Sequence, residues 1–443
     1  MSEDTSIAGK KPASLFRQRN FALLWTGQSA SLFGTQITYV AMPLTAVLLL
    51  HATPMEAGVL VALETLPFLL FGLFVGVMLD RRARRSVMIV ADVVRAAALA
   101  WIPVAHWLDV LNIGQLFVVV FVVGVMTVFF DLAHQSYTPG LIGRDRLGEA
   151  NAKLELSDSM AQVGGPGAAG LLISALGAPV AIAVDAASYV LSFFTVAGLP
   201  ADEAPKPQPG AETLSVRASI REGFAAIVRH PLLRWFTTAA LIINLFSGAL
   251  MSVFFLYLLR VLDMDSKQVG LIVAIGSVGA LVGVLLVGPL TGRFGVGPTL
   301  ILTMALPGLG YLVLAAVHGH SLAALAVVAA SSFVVQFSVP VFNVTVISFR
   351  QVSTPDELLG RVNATARTCA LGAFSLGSLL GGALASGTGL RTAIVVAASG
   401  TFLASLALLF SPVRAVRRLE ASPDASDSAP APEPGMTIQE QTP

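Results

Sequence analysis

Glu64 has no partner in sequence. It lies within the apolar run "AGVLVALETLPFLLFGLFVGVML", Ala57–Leu79, with no basic residue within one turn on either side. The chemistry open to an isolated carboxyl in such surroundings is proton exchange, loading from one side and releasing to the other. Packing as a neutral, hydrogen-bonded acid is the structural alternative. Asp131 and His134, one turn apart in "FFDLAH", offer either a proton relay or a tether for the loop that follows. Asp92 and Arg95 are spaced to share one helix face and neutralise each other. Asp185 is expected to be structural as well. No catalytic constellation accompanies these groups, so no enzyme activity is expected. No Gly-x-x-x-x-Gly-Lys-Ser/Thr loop is present, which argues against direct drive by ATP. His318 and His320 alone make a weak metal pair, and no metal or cofactor is expected. The single cysteine, Cys369, rules out an intrachain disulfide.

The elements that carry these residues follow from composition. Of 443 residues, 55% are hydrophobic and 12% charged, whereas soluble domains average about 25% charged. Mean hydropathy is +0.79. Apolar runs of about 20 residues, enough to cross a bilayer, recur along the chain, and the alternating ten-residue segments of a β-barrel are not visible. The reading is an all-α membrane protein with about twelve transmembrane helices. The spans fall near 21–49, 56–79, 86–107, 113–135, 156–177, 180–199, 235–260, 268–291, 298–317, 321–347, 364–387 and 391–411. Residues 1–20 form a polar N-terminal segment with no cleavable signal, residues 21–199 a first half and residues 235–411 a second. The linker 200–234 is Pro-rich at first, then carries Val216, Ile220, Phe224 and Ile227 at helical spacing among arginines. That pattern suits a helix lying on a membrane surface. Residues 412–443 read as a disordered tail. The net charge of +1 gives no reason to expect a nucleic-acid partner.

Orientation follows from the basic residues. With both termini cytoplasmic, 23 of the 27 Lys and Arg residues fall in cytoplasmic segments, Arg361 and Arg367 among them. Only Arg260, Lys267 and Arg391 fall outside, and Arg95 lies within a span. The halves also repeat. Shifted by 212 residues, Arg17 falls on Arg229, Gly76 on Gly288, Arg81 on Arg293, Asn151 on Asn363, Gly165 on Gly377 and Gly170 on Gly382. One unbroken offset through spans and loops indicates two six-helix halves in parallel repeat.

The turn between the second and third spans, "GVMLDRRARR", resembles the cytoplasmic signature of the major facilitator superfamily. It supplies Gly76, Asp80, Arg81, Arg84 and Arg85, with Ala83 where the family usually has Gly. The second copy, "GPLTGRFGVG", keeps Gly288 and Arg293 but has Gly292 in place of the acid. On the fifth span, "QVGGPGAAG" is similar to the family's antiporter pattern through Gly165, Pro166 and Gly170, with Ala169 in place of a glycine. With "GRDRLGEANA" and "RHPLLRW", the text looks most like the drug-exporter (drug:proton antiporter) subgroup, which includes bacterial macrolide, tetracycline and siderophore exporters. The resemblance implies that the 76–85 cluster latches the halves in an outward-facing state, Asp80 facing a helix N-terminus whose partial positive charge favours an anion. It implies a cavity between the first, fourth, seventh and tenth helices, whose mid-depth polar residues are Gln28, Gln36, Asn244, Gln336 and Asn343. Phe33, Phe129, Phe246 and Phe342 are candidate aromatic walls. It further implies a monomer in a bacterial inner (plasma) membrane exporting an amphiphilic small molecule, with protons as the second partner. The proton gradient would be its energy source, with Glu64 or Asp131 as carrier. An uptake symporter on the same fold and a non-transporting membrane assembly or sensor protein remain alternatives.

Overall fold

A computed structural model of the chain describes residues 15–79, 82–143, 146–201, 216–319, 321–354 and 356–417. Asp80 and Arg81 of the signature turn, the Pro-rich part of the linker and the tail from 418 onward lie outside the described residues. Those described form helices and connecting turns, with no strand among them. The first half comprises α1 (Arg19–Leu44), α2 (Pro54–Leu79), α3 (Arg84–Trp107), α4 (Ile113–Ile142), α5 (Leu147–Leu176) and α6 (Ala178–Ala197). The linker helix is α7 (Val216–Arg229). The second half comprises α8 (Pro231–Leu256), α9 (Ser266–Phe294), α10 (Val296–Ala316), α11 (Leu322–Val352), α12 (Asp356–Thr388) and α13 (Leu390–Leu409).

Eleven described helices are long and apolar enough to cross a membrane. The expected fifth span, α5, is 30 residues long but falls outside that set. Its first half is polar, "LGEANAKLELSD", and its second is thinned by the glycines and proline of "GGPGAAG". Several helices outrun their apolar stretch at the end bearing the α2–α3 turn, the end assigned to the cytoplasm by charge and called inner here. Helix α4 continues to Ile142, α5 begins at Leu147 and α12 at Asp356, because helix-forming polar residues keep the backbone bonds going once the bilayer is left.

The repeat reaches into local distortions. α1 and α8 both end in a π-helical turn, Thr45–Leu49 and Tyr257–Val261. Each is followed by a non-glycine residue at positive φ, His51 and Asp263. Each then meets a cap in which a side chain and a backbone N–H are exchanged, Thr53 with Glu56 and Asp265 with Gln268. All of these pairs are separated by the same shift. The one-residue joints Gly177 and Gly389 repeat too, at φ 86° and 91°, a left-handed conformation that penalises side chains. Ala83, by contrast, is extended at φ −64°, so the signature's missing glycine strains nothing at this turn.

Two crossings join the halves near their outer ends. Gly58 of α2 meets Gly382 of α12, and Gly170 of α5 meets Gly270 of α9. These four glycines are again two pairs related by the repeat. A Cβ on Gly58 would fall 2.6 Å from the Ser378 carbonyl oxygen, and one on Gly270 would fall 2.6 Å from the Gly170 Cα. Only the absence of side chains lets the backbones approach so closely. Between α1 and α8, the Tyr39 hydroxyl donates to the Met251 sulfur at 3.4 Å. Lower on the α2–α12 seam, the Thr65 and Ser375 hydroxyls bond at 2.7 Å. Arg367 lies over the Phe68 ring at 4.8 Å. One turn further inward on the same face, Gly72 has no heavy atom within 4 Å of where its Cβ would stand, and the same holds for Gly288 on α9. Among the described residues the bundle is therefore closed at its outer end and parted at its inner end.

The linker helix forms as expected, but one face of it is covered by protein. Glu222 pairs with Arg361 of α12, Gly223 packs on the Arg361 carbonyl, and Ile227 is buried against Val362 and Ala366. Phe224 and Val228 remain exposed beside this contact.

Candidate functional site

A chamber of about 470 Å³ lies beneath the outer crossings. Its walls come from α1, α2, α3, α4 and α6 of the first half, and from α8 and α12 of the second. The expectation of a central cavity between four helices is thus displaced toward the first half, and α11 lines a smaller adjoining pocket instead of this chamber. Packing explains the displacement. On α9, Gly276, Gly279 and Gly283 press directly on Ser332, Phe333 and Phe337 of α11, leaving beside them the smaller pocket. The repeat places Glu64, Pro67 and Phe71 of α2 at the same three positions. α4 still comes close to α2 here, where Gly124 meets Pro67 and the Glu64 carbonyl, while the Glu64 side chain faces the chamber.

Glu64 faces this chamber. Its side chain is accessible to the chamber while protein encloses it on all sides at longer range; both hold because the accessible surface looks into an interior space. It forms no ion pair among the described residues, and Tyr39 lies within its electrostatic reach. It is adjacent in sequence to Thr65, which bridges to the other half, so its charge state sits beside the inter-half seam. Asp131 also lines the chamber, within electrostatic reach of Arg95 and Arg367. His134 does not bond to it; the imidazole stacks on Phe130 at 6.0 Å, with Nε2 buried and unpartnered.

Asp92 and Arg95 pair at 2.5 Å, as their spacing predicts. Asp92 also accepts from the Ser192 hydroxyl at 2.7 Å. The Arg95 guanidinium is sandwiched between Phe130 and Tyr189, 4.3 and 4.1 Å from the ring centroids. Asp185 accepts from Thr38 at 2.6 Å and Ser188 at 3.1 Å. α3 and α6 are more than peripheral, since Arg95 and Asp185 both reach the chamber wall. So does Arg367, which the charge count placed in a cytoplasmic segment: it lies about three turns into α12.

Of the polar candidates, Gln28 lines the chamber and Gln336 the smaller pocket. Gln36 packs against Gly165, Asn244 donates to the Ala240 carbonyl of its own helix at 2.8 Å, and Asn343 is exposed away from both spaces. The aromatic walls are Tyr39, Phe68, Phe130, Tyr189 and Phe255, none of them among the four phenylalanines expected. In the antiporter-type motif, Gly165 admits Gln36 of α1 while Gly170 and the Pro166 carbonyl meet Gly270 of α9. One short stretch thus packs against both halves. In the signature turn, Arg85 donates to the carbonyls of Val196 and Ala197 at 3.1 and 2.5 Å, a cation placed at the C-terminus of α6 where the helix dipole favours it.

The arrangement provides an amphipathic chamber, with acids, arginines and hydroxyls on one side and aliphatic side chains toward the outer crossings. A chamber so lined offers both apolar and polar surfaces to whatever it encloses.

Comparison with known proteins agrees with this geometry. The Major Facilitator Superfamily model matches residues 24–373 and, in an overlapping match, 239–434. Multidrug efflux pump Tap of Mycolicibacterium fortuitum is 26% identical over 388 residues, covering 86% of this chain and 92% of that protein. Macrolide efflux protein A of Streptococcus pyogenes is 28% identical over 182 residues, 40% of this chain and 44% of that one. Among solved structures, nucleoside transporter NupG superposes with a TM-score of 0.73 at 12% identity, covering 88% of this chain and 98% of that one. A bacterial homologue of the iron transporter ferroportin, in an inward-facing state, gives 0.68 at 16% identity, covering 90% of this chain and 99% of that one. These structural likenesses bear on the fold alone.

Proposed function

Because this chain belongs to the Major Facilitator Superfamily, we propose that it is a secondary active exporter. On this reading it moves an amphiphilic small molecule of the antibiotic, drug or siderophore kind out of the cell, against inward proton flow. One observation carries the reading: Glu64, an acid with no ion-pair partner among the described residues, faces a chamber sealed at its outer end and lies beside the hydroxyl bridge between the halves. An acid so placed can exchange a proton with whichever side the chamber faces, and its charge can bear on how the halves meet. The efflux function named for Tap and for macrolide efflux protein A supports the direction.

The test is to express the full chain in an efflux-deficient bacterial host and profile susceptibility to cationic, zwitterionic and neutral amphiphiles. Raised tolerance to a subset, with lowered accumulation of those compounds, is the expected outcome. Sensitisation with increased accumulation would instead favour uptake, and an unchanged profile across all classes would contradict export.

A further inference from the structure

Two opposite charges line the chamber from opposite halves, and neither has a hydrogen bond or ion pair among the described residues. Asp131 projects from α4 of the first half, and Arg367 from α12 of the second. Each lies about three turns from the inner end of its helix, and both line the same chamber. They are within electrostatic reach of each other, yet the guanidinium rests on the Phe68 ring. Among the described residues that contact belongs to the lowest part of the α2–α12 seam, together with Leu69 against Gly372, and one turn below it no heavy atom lies within 4 Å of where a Cβ on Gly72 would stand. We propose that Asp131 and Arg367 form an inner gate: they pair across the halves when the inner ends close, and are held apart, with Arg367 parked on Phe68, in the inward-parted arrangement described above.

The repeat argues that this pair is more than general architecture. The shift of 212 residues places Asn343 at the position of Asp131 and Glu155 at that of Arg367, so the twofold-related site holds no opposite charges. The gate is a single device, built into one side of the pseudo-symmetric bundle. Arg95, the other cation near Asp131, is engaged by Asp92 and by two aromatic rings. Arg367 alone among the charged groups of the chamber moves with the second half. Closing a buried carboxylate against an arginine satisfies two charges that would each be costly to enclose singly. The inference rests on the exporter reading only in supposing that the inner ends close at all.

The test uses Gly72→Cys in a Cys369→Ser chain, labelled by a maleimide in inside-out membrane vesicles. Gly270→Leu is added to force the outer ends apart, since its side chain would collide with Gly170. Gly58→Leu, on the twofold-related crossing, does the same should the first variant not insert. Labelling is expected to fall about fivefold or more on adding either opener, the lower end of a coupling between two states. Arg367→Gln or Asp131→Asn should each restore high labelling, and the exchange Asp131→Arg with Arg367→Asp should lower it again. Labelling that stays low in both single variants, or that never falls with either opener, would overturn the gate. Drug accumulation in the same strains separates the two readings. A chain that fails to export but keeps this labelling pattern retains the gate, whereas normal export with a pattern indifferent to Arg367 retains only the exporter.

Discussion

Arg95 is held in three ways at once, by a carboxylate at 2.5 Å and by an aromatic ring on each face. A guanidinium so placed has exchanged water for one counter-charge and two π-surfaces, and removing the counter-charge strands it. Asp92→Asn should therefore destabilise the fold by about 3–5 kcal/mol. Thermal denaturation in detergent would show this as a lowered midpoint, and the double variant Asp92→Asn with Arg95→Gln should lose less than the two single losses added together. Strict additivity would mean that the ion pair contributes nothing. The pair itself was legible in the sequence from its spacing, and Glu64 from its isolation. The aromatic partners were not. Phe129 was the expected wall residue where Phe130 is the actual one, because a one-residue difference on a helix turns the side chain through about 100°.

At the scale of elements, the sequence marked the apolar part of each helix and missed the rest. The polar inner extension of α12 was read as loop, and Arg367 was counted with the cytoplasmic cations although it falls within the apolar run 364–387. Hydropathy reports where lipid is, whereas a helix continues as long as its backbone bonds and propensity allow. The close packing of α9 on α11 had a signal that could have been found: the glycines 276, 279 and 283 stand where the first half has Glu64, Pro67 and Phe71 under the same repeat that revealed the halves. The linker helix α7 shows how little periodicity says about what covers an apolar face. Its contact with α12 depends on Gly223, where a Cβ would fall 2.6 Å from the Arg361 carbonyl oxygen. Gly223→Leu should displace the helix at a cost of about 1–3 kcal/mol, seen as faster tryptic cleavage at Arg221 and Arg229. Glu222→Ala, which removes only a part-exposed ion pair, should cost about 1 kcal/mol or less. Equal cleavage rates in the two variants would show that the packing at Gly223 is not what holds α7.

For the whole molecule, the two-half organisation was the most legible feature, since one offset governs spans, π-turns, caps and glycine crossings alike. Orientation in the membrane is an expectation from the charge bias, and Ser86, exposed beside the signature turn, offers a direct check. Ser86→Cys in a Cys369→Ser chain should resist an impermeant thiol reagent in intact cells and react once the membrane is opened. Reaction in intact cells would reverse the orientation.

Proton coupling through Glu64 is the claim on which the account turns. The most direct measurement uses inside-out vesicles carrying the full chain, an acid interior imposed by a pH jump, and a compound to which the susceptibility profile shows resistance. With the native chain, the compound should accumulate inside the vesicles, and a protonophore should abolish the accumulation. With Glu64→Gln, which fixes the group in its neutral form, the compound should still bind, while accumulation falls to the level seen without a gradient. Accumulation at the native level in that variant, still abolished by the protonophore, would contradict the assignment of coupling to Glu64.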